Sequence, residues 1–176
     1  TSAKLIEQCK FKPGGNVILA SPDWQLPCMA TQGLSGVLNA PILLTKHDGL
    51  ADITAQELAR LCPSRITIIG GEDVISEDVY NQATEYIDSH AAIERIDCNE
   101  SVELSRLIFE YGKQTAQATH APGYSKLAVI AHHDCIGDLI TLSPLLIANH
   151  IPVFYIKELG VIDEKTSATI MGGDFN

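Results

Sequence analysis

An α/β fold, with a parallel sheet flanked by helices and laid out in tandem repeats, is expected from three features of this chain. Short apolar runs rich in β-branched residues alternate with longer stretches of helical period. The apolar runs are nearly continuous, as suits strands buried on both faces of a parallel sheet. And one block of sequence, strand then helix then strand, occurs twice at a constant spacing.

In chain order, an amphipathic helix is expected near residues 2–10; the start TSAKLIEQCK lacks the apolar run and cleavage site of a secretory signal. Pro13-Gly14-Gly15 breaks the chain before a strand at Val17–Ala20. A helix over 25–38 carries Leu34 and Leu38 one turn apart, an apolar face directed to the core. The stretch NAPILLTKHD follows, from Asn39 to Asp48. Asn39 tolerates the left-handed conformation that ends a helix. Pro41 has no N–H and suits the first residue of a strand, not its middle. Ile42, Leu43 and Leu44 continue that strand to Thr45, and the polar tail Thr45-Lys46-His47-Asp48 leaves at its carboxyl end. Open α/β sheets bind ligands at those ends, and Lys46 is the natural partner there for an anion.

A helix at 53–61 and a strand at Ile66–Ile69 lead to Gly70-Gly71, a tight strand-to-helix turn. Ser76 caps a helix over 76–89, and Glu77 and Asp78 in its first turn suit the positive helix end. A weaker strand is expected at Ala92–Ile96 and a helix at 101–117. After His120-Ala121-Pro122-Gly123 come a strand at Leu127–Ala131, a helix at 138–149, and strands at Val153–Ile156 and Ala168–Met171. Parallel strands joined this way use right-handed crossovers, a Rossmann-like layering.

The repeat is visible when NVILASPDWQLPCMATQGLSGVLNAPILL is set beside KLAVIAHHDCIGDLITLSPLLIANHIPVFY. Asp23 falls on Asp134, Leu34 on Leu145, Pro41 on Pro152 and Ile42 on Val153, all at one offset. ITIIGG (66–71) resembles ATIMGG (168–173), but at a smaller offset, so the second copy is shorter by about one helix. The opening TSAKLIEQ likewise resembles SVELSRLI (101–108). Two units follow: a first over 1–118 and a second, incomplete one over 119–176.

This order of motifs resembles the cell wall binding repeat 2 family of bacterial surface modules. Pro41-Ile42-Leu43-Leu44 matches the family's PILL letter for letter. Ile66 to Gly71 matches its strand before paired glycines, Val74-Ile75-Ser76 the start of its next helix, and Glu94-Arg95-Ile96 its Arg-Ile strand. The sequence also departs from the family. Pro27-Cys28-Met29 stands where the family has Asp-Ala-Leu, a motif kept in part as Asp138-Leu139, and the Gly-x-x-Arg-Tyr-x-Thr after the Arg-Ile strand is degraded. The resemblance implies a divergent, noncatalytic module at the extracellular face of a bacterial wall. It implies tandem units that bind an anionic secondary wall polysaccharide, with an amidase, protease or adhesin supplied by an adjoining domain. Its candidate ligand residues are Pro41, Ile42, Leu43, Leu44, Thr45, Lys46, Gly70, Gly71, Arg95 and Asp138. Its partners would be the polymer and sister repeat units or copies of the same chain. Weak sites on several units would add avidity without a deep pocket.

Charge and cysteine usage bound the alternatives. With 22 acidic and 12 basic residues the net charge is −10, which disfavours nucleic acid and demands a local exception for any anionic polymer. The basic residues Lys4, Lys10, Lys12, Arg60, Arg65, Arg95 and Arg106 are the candidates for such a patch. No run of eighteen apolar residues is present, so no membrane insertion is expected. Gly70-Gly71 belongs to neither GxGxxG nor a P-loop and is followed at once by Glu72 and Asp73, which argues against a nucleotide cofactor. The five cysteines, Cys9, Cys28, Cys62, Cys98 and Cys135, form no CxxC; buried thiols are expected and no metal.

Two competing readings stand beside this one. His132-His133-Asp134-Cys135 lies at a strand-to-helix turn, where Cys135 with His132 or His133 would suit a small thiol enzyme or hydrolase. Against it, the first unit has Ser21-Pro22-Asp23-Trp24 at the same place, and only the aspartate, a favoured helix cap, recurs. The other competitor is a structural spacer whose units assemble with one another.

Overall fold

A computed structural model describes residues 11–88, 90–173 and 175. The helix expected near 2–10, with Lys4, Cys9 and Lys10, lies outside the described residues. The elements run β1 (Asn16–Ala20), α1 (Gln25–Leu38), β2 (Ile42–Leu44), α2 (Asp52–Leu61), β3 (Arg65–Ile69), α3 (Glu77–Thr84), β4 (Ala92–Ile96), α4 (Ser101–Thr119), β5 (Val129–His132), a 3₁₀ turn (His133–Cys135), α5 (Ile136–Ala148), β6 (Val153–Ile156) and α6 (Glu164–Met171). Every strand pairing between these elements is parallel.

The chain packs as two units whose limits differ from the sequence boundary at 118/119. One holds the residues up to Trp24 and Asn39–Asn99; the other holds Gln25–Leu38 and Glu100–Asn176. Helix α1 connects β1 to β2, yet it packs with α4, α5 and β6. The physical reason is its sequence: Gly33 and Gly36 strip one face to backbone. A Cβ on Gly33 would lie 2.4 Å from the Ile151 carbonyl oxygen, and one on Gly36 2.2 Å from that of Ile147. The repeat boundary and the packing boundary are therefore different properties of the chain.

In the first unit the strand order is β2-β1-β3-β4. Val17, Leu19, Leu43, Ile66 and Ile68 share one face and pack under Leu58 and Leu61 of α2 and Val79 and Ala83 of α3. Ile18 and Ile69, pointing the other way, are buried as well. Both faces of β1 and β3 are thus closed, as their unbroken apolar runs require, and each such side chain contributes about 2 kcal/mol. Ser76 caps α3 by accepting the Val79 N–H at 3.4 Å, as expected.

The second unit is built on α4, whose Leu104, Ile108, Phe109, Gly112 and Ala116 are buried at helical spacing. Phe109 packs on Phe154 of β6 at 5.2 Å between ring centroids and on Tyr124 at 4.9 Å. Tyr155 donates from its hydroxyl to the Leu26 carbonyl (2.7 Å) and from its N–H to Ser105 Oγ (3.1 Å).

Geometry repeats where sequence repeats. Ile18 pairs with Ile42, and Val129 pairs with Val153; Leu19 pairs with Leu43, and Ile130 with Phe154. The Ile18 N–H donates to the Pro41 carbonyl at 3.0 Å, the Val129 N–H to that of Pro152 at 2.9 Å. Asn39 and its counterpart His150 both take positive φ, 47° and 54°.

Three expectations are corrected. Ala168–Met171, read as a strand, lies in helix α6, which Asp163 caps by accepting the Thr166 N–H at 3.0 Å. Leu145 and Ile147, read as core, are exposed. Asp134 does not cap α5; it sits inside the 3₁₀ turn, and the residue before α5, Cys135, makes no side-chain cap bond.

Candidate functional site

The carboxyl end of β2 is fastened by its own polar residues. The Thr45 N–H donates to the Ala20 carbonyl at 3.0 Å and prolongs the β1–β2 ladder. Thr45 is buried, and its hydroxyl donates to the Gly49 carbonyl at 3.3 Å. Thr54 of α2 donates to the Leu44 carbonyl at 2.7 Å. Beyond that anchor Lys46, His47 and Asp48 are exposed, with His47 Nδ1 2.5 Å from Asp48 Oδ1. Leu43 is fully buried, whereas Ile42 and Leu44, on the opposite face, are half-buried.

Gly70-Gly71 forms the turn between β3 and α3. Gly70 has φ +106°, a conformation that L side chains rarely adopt. Gly71 lies against acidic and amide side chains: a Cβ there would be 2.5 Å from Asp97 Oδ1 and 2.9 Å from Asn99 Oδ1. The surroundings of this turn oppose an anion. Beneath it lies Arg95, with a side chain only 14% exposed. Its Nη1 donates to the carbonyls of Gly70 (3.1 Å) and Ile75 (2.8 Å). Its Nη2 lies 3.6 Å from Glu77, and its guanidinium carbon 5.8 Å from the centroid of the Tyr80 ring. Arg95 therefore holds the shape of the turn.

The candidate ligand residues are thus divided. Thr45, Lys46, Gly70 and Gly71 follow the carboxyl ends of β2 and β3. Pro41 precedes β2 at the amino end and helps line a cleft of about 530 Å³ with Lys12, Gly14, Asn16, Asn39 and Leu61. Asp138 belongs to the second unit and is exposed in the first turn of α5.

The second unit has its own crevice beyond a strand end. Lys157 follows β6 as Lys46 follows β2, at the offset of the repeat. A cleft of about 360 Å³ there is lined by Glu100, Glu103, Lys157, Glu158, Val161 and Asp163. Lys157 Nζ lies 3.3 Å from Glu100 Oε1. A hydrogen bond from Arg106 holds the Glu103 carboxyl below its usual value. Desolvation pushes the Asp163 carboxyl up, but hydrogen bonds from Thr166 outweigh it and leave that group lowered too. At neutral pH Glu103 and Asp163 are therefore carboxylates, in a cleft with one lysine. Motif order does not single out Lys157, although the offset that pairs Pro41 with Pro152 also pairs Lys46 with Lys157.

At His132-His133-Asp134-Cys135, His132 is 11% exposed and engaged at both ring nitrogens. Nε2 lies 3.0 Å from the Lys157 carbonyl, and Nδ1 accepts the Asp134 N–H at 3.5 Å. Nδ1 also lies 3.3 Å from Asp134 Oδ2, so both ring nitrogens face groups of the turn and of β6's end. In the first unit Ser21 Oγ accepts the Asp23 N–H at 3.3 Å. His132 thus does what Ser21 does, bonding the N–H two residues on. The side chain of His133 lies outside the described residues. Cys28, Cys62, Cys98 and Cys135 are thiols, and burial pushes that of Cys28 up to about 11. Among the described residues no cluster of histidine, cysteine or carboxylate is arranged to hold a metal, and no helix is long and apolar enough to cross a membrane.

Comparison with known proteins agrees with the motif order. Residues 1–80 match the family described as Cell wall binding domain 2 (CWB2). The chain is 28% identical, over 99% of its length, to the amidase enhancer of Bacillus subtilis (strain 168), of which it covers 23%. Among solved structures it is similar to Cwp6 and Cwp8 from Clostridium difficile, with TM-scores of 0.77 and 0.78 and 21% identity to each. Those likenesses span 96% of this chain and 24% and 27% of theirs. The chain thus spans about a quarter of the length of these relatives. The solved structures carry the fold, parallel strands flanked by helices, and residues 1–80 are similar to the cell wall binding domain 2 family.

Proposed function

We propose that this chain is a noncatalytic wall-anchoring segment that holds a bacterial surface protein to an anionic wall polysaccharide, outside the cell. The observation that carries the reading is the family match over residues 1–80. The doubled strand-helix-strand unit, with the same register in both copies, supports it. Modules that bind weakly gain avidity by repetition, and repetition is what this chain displays. The name of the Bacillus subtilis relative fits a division of labour in which this segment anchors and another segment acts.

Within the first unit the cation offered to the polymer is Lys46, exposed beyond β2. Thr45, Gly70 and Gly71 shape the rim, and Arg95 holds the turn behind it. In the second unit Lys157 is matched against Glu100 and the surrounding carboxylates, so that cleft suits hydroxyl groups better than anions. Copies of the chain or sister units would supply further sites.

The test is retention of the purified chain on isolated wall polysaccharide. Lys46→Glu is expected to reduce retention at least fivefold, and Lys157→Glu less than twofold. No retention of the unmodified chain at about 0.01 M or about 0.1 M salt, the span over which screening sets in, would overturn the proposal.

A further inference from the structure

The winding of the first sheet reverses between β1 and β3. The chain leaves β1 for β2 on one side, and from β2 it crosses to β3 on the other. Open parallel sheets bind ligands beyond the carboxyl ends of the two strands where the winding reverses. The residues that follow those two ends meet here. Trp24, beyond β1, is half-buried, and its ring lies against Gly70 beyond β3: a Cβ on Gly70 would be 3.0 Å from Trp24 Cζ3. A side chain at Gly70 would therefore displace the ring, and the positive φ there disfavours one in any case.

The neighbours of Gly71, the next residue, are polar. Asp97 and Asn99, beyond the end of β4, hold their Oδ1 atoms against it, and Asn99 Nδ2 donates to Asp73 Oδ2 at 3.1 Å. Asp73, Asp97 and Asn99 are exposed, and all these residues belong to the first unit. An aromatic ring that is partly wet thus stands beside carboxylate and amide groups open to solvent, over a turn that two glycines strip to backbone. The face of the ring carries negative charge and attracts the C–H groups on the flat side of a sugar ring. Carboxylates accept from hydroxyl groups, and the amide both donates and accepts. A phosphate or a sugar acid would meet Glu72, Asp73 and Asp97 and be repelled.

We propose that this crevice is a subsite for an uncharged sugar residue, stacked on Trp24 with its hydroxyl groups bound by Asp97 and Asn99. The proposal rests on the wall-polysaccharide reading above and names the part of the polymer that is read here. Neighbouring strands lie about 4.8 Å apart, and the order β2-β1-β3 puts the end of β2, with Lys46 beyond it, about 10 Å from the end of β3. A polymer laid across that edge meets Lys46 with an anionic group and Trp24 with a neutral residue. An acidic chain then holds an acidic polymer mainly where the polymer carries no charge.

Trp24 is the only tryptophan in the chain, so tryptophan emission reports on this crevice. The probe is the neutral oligosaccharide fraction released from isolated wall polysaccharide by partial acid hydrolysis and freed of charged fragments on an anion exchanger. With the unmodified chain this fraction is expected to move the emission to shorter wavelength and to reduce quenching by acrylamide at least twofold. Asp97→Ala with Asn99→Ala should raise the concentration needed at least fivefold, whereas Lys46→Glu should change it less than twofold. If the neutral fraction leaves emission and quenching unchanged while the chain is still retained on the intact polymer, the subsite is overturned and the anchoring reading stands. A response to the charged fragments alone overturns it as well. A response to the neutral fraction without retention on the intact polymer supports the subsite and removes the anchoring reading. The comparison of fractions needs no variant, so it decides even if the paired substitution fails to fold.

Discussion

Arg95 shows how a single residue's role depends on where its charge is spent. A lone arginine in an Arg-Ile strand invites an anion, yet its guanidinium donates to the carbonyls of Gly70 and Ile75 and lies beside Glu77. Those two carbonyls sit in a turn that no ladder can satisfy, so removing the guanidinium leaves them without a donor. Arg95→Met is expected to cost about 2–3 kcal/mol in urea denaturation, the range for hydrogen bonds from a charged group. Arg65→Met, which breaks the half-exposed pair with Glu94 (2.7 Å), should cost under about 1 kcal/mol. Equal losses would mean that the buried bonds are worth no more than a surface ion pair. His132 gives the same lesson: its bond to the Asp134 N–H repeats that of Ser21 to Asp23, so the imidazole there does a hydroxyl's work.

Among the elements, α1 and α5 are counterparts in the repeat and pack against one another. Gln32 and Ser143, themselves equivalent positions of the two copies, are hydrogen-bonded across that contact at 2.7 Å. Gly33 and Gly36 allow the approach. In an exposed helix Gly→Ala would stabilise by about 1 kcal/mol. At Gly36 the added methyl meets the Ile147 carbonyl oxygen, backbone that cannot step aside, and overpacking of this kind costs about 1–3 kcal/mol. Gly36→Ala is therefore expected to lower the denaturation midpoint, whereas Gly137→Ala, at a position with open space around the new methyl, should leave it unchanged or raise it. A stabilising Gly36→Ala would show that the two helices do not meet as closely as described.

For the whole molecule the governing fact is a net charge of −10. An acidic chain approaching an anionic polymer is repelled at long range, while any attraction through Lys46 acts at contact. Salt screens the long-range part first, because the Debye length falls from about 30 Å at 0.01 M to about 10 Å at 0.1 M. If the proposed ligand is right, retention rises over that interval, the reverse of what a basic polyanion binder shows. A steady fall from the lowest salt would point instead to a basic patch on the chain. Both packing units share this constraint, since the acidic cleft around Lys157 and the carboxylates beside Gly71 place negative charge near the carboxyl ends of strands in each.

Residue order alone specified most of the strands and helices, their parallel pairing and the internal duplication. Those properties rest on local periodicity, on Pro and Gly at chain breaks, and on unbroken apolar runs that only a doubly covered sheet can bury. The left-handed turn at Asn39 and the Ser76 cap were legible for the same reason, being local. Packing settled the rest. Where α1 docks depends on which backbone two glycines can approach, and periodicity carries no partner's name. Whether Arg95 faces a ligand or a carbonyl depends on a turn 25 residues earlier in the chain. Thr-Ile-Met reads as strand by its β-branched residues, yet it lies in α6, whose start the Asp163 cap sets.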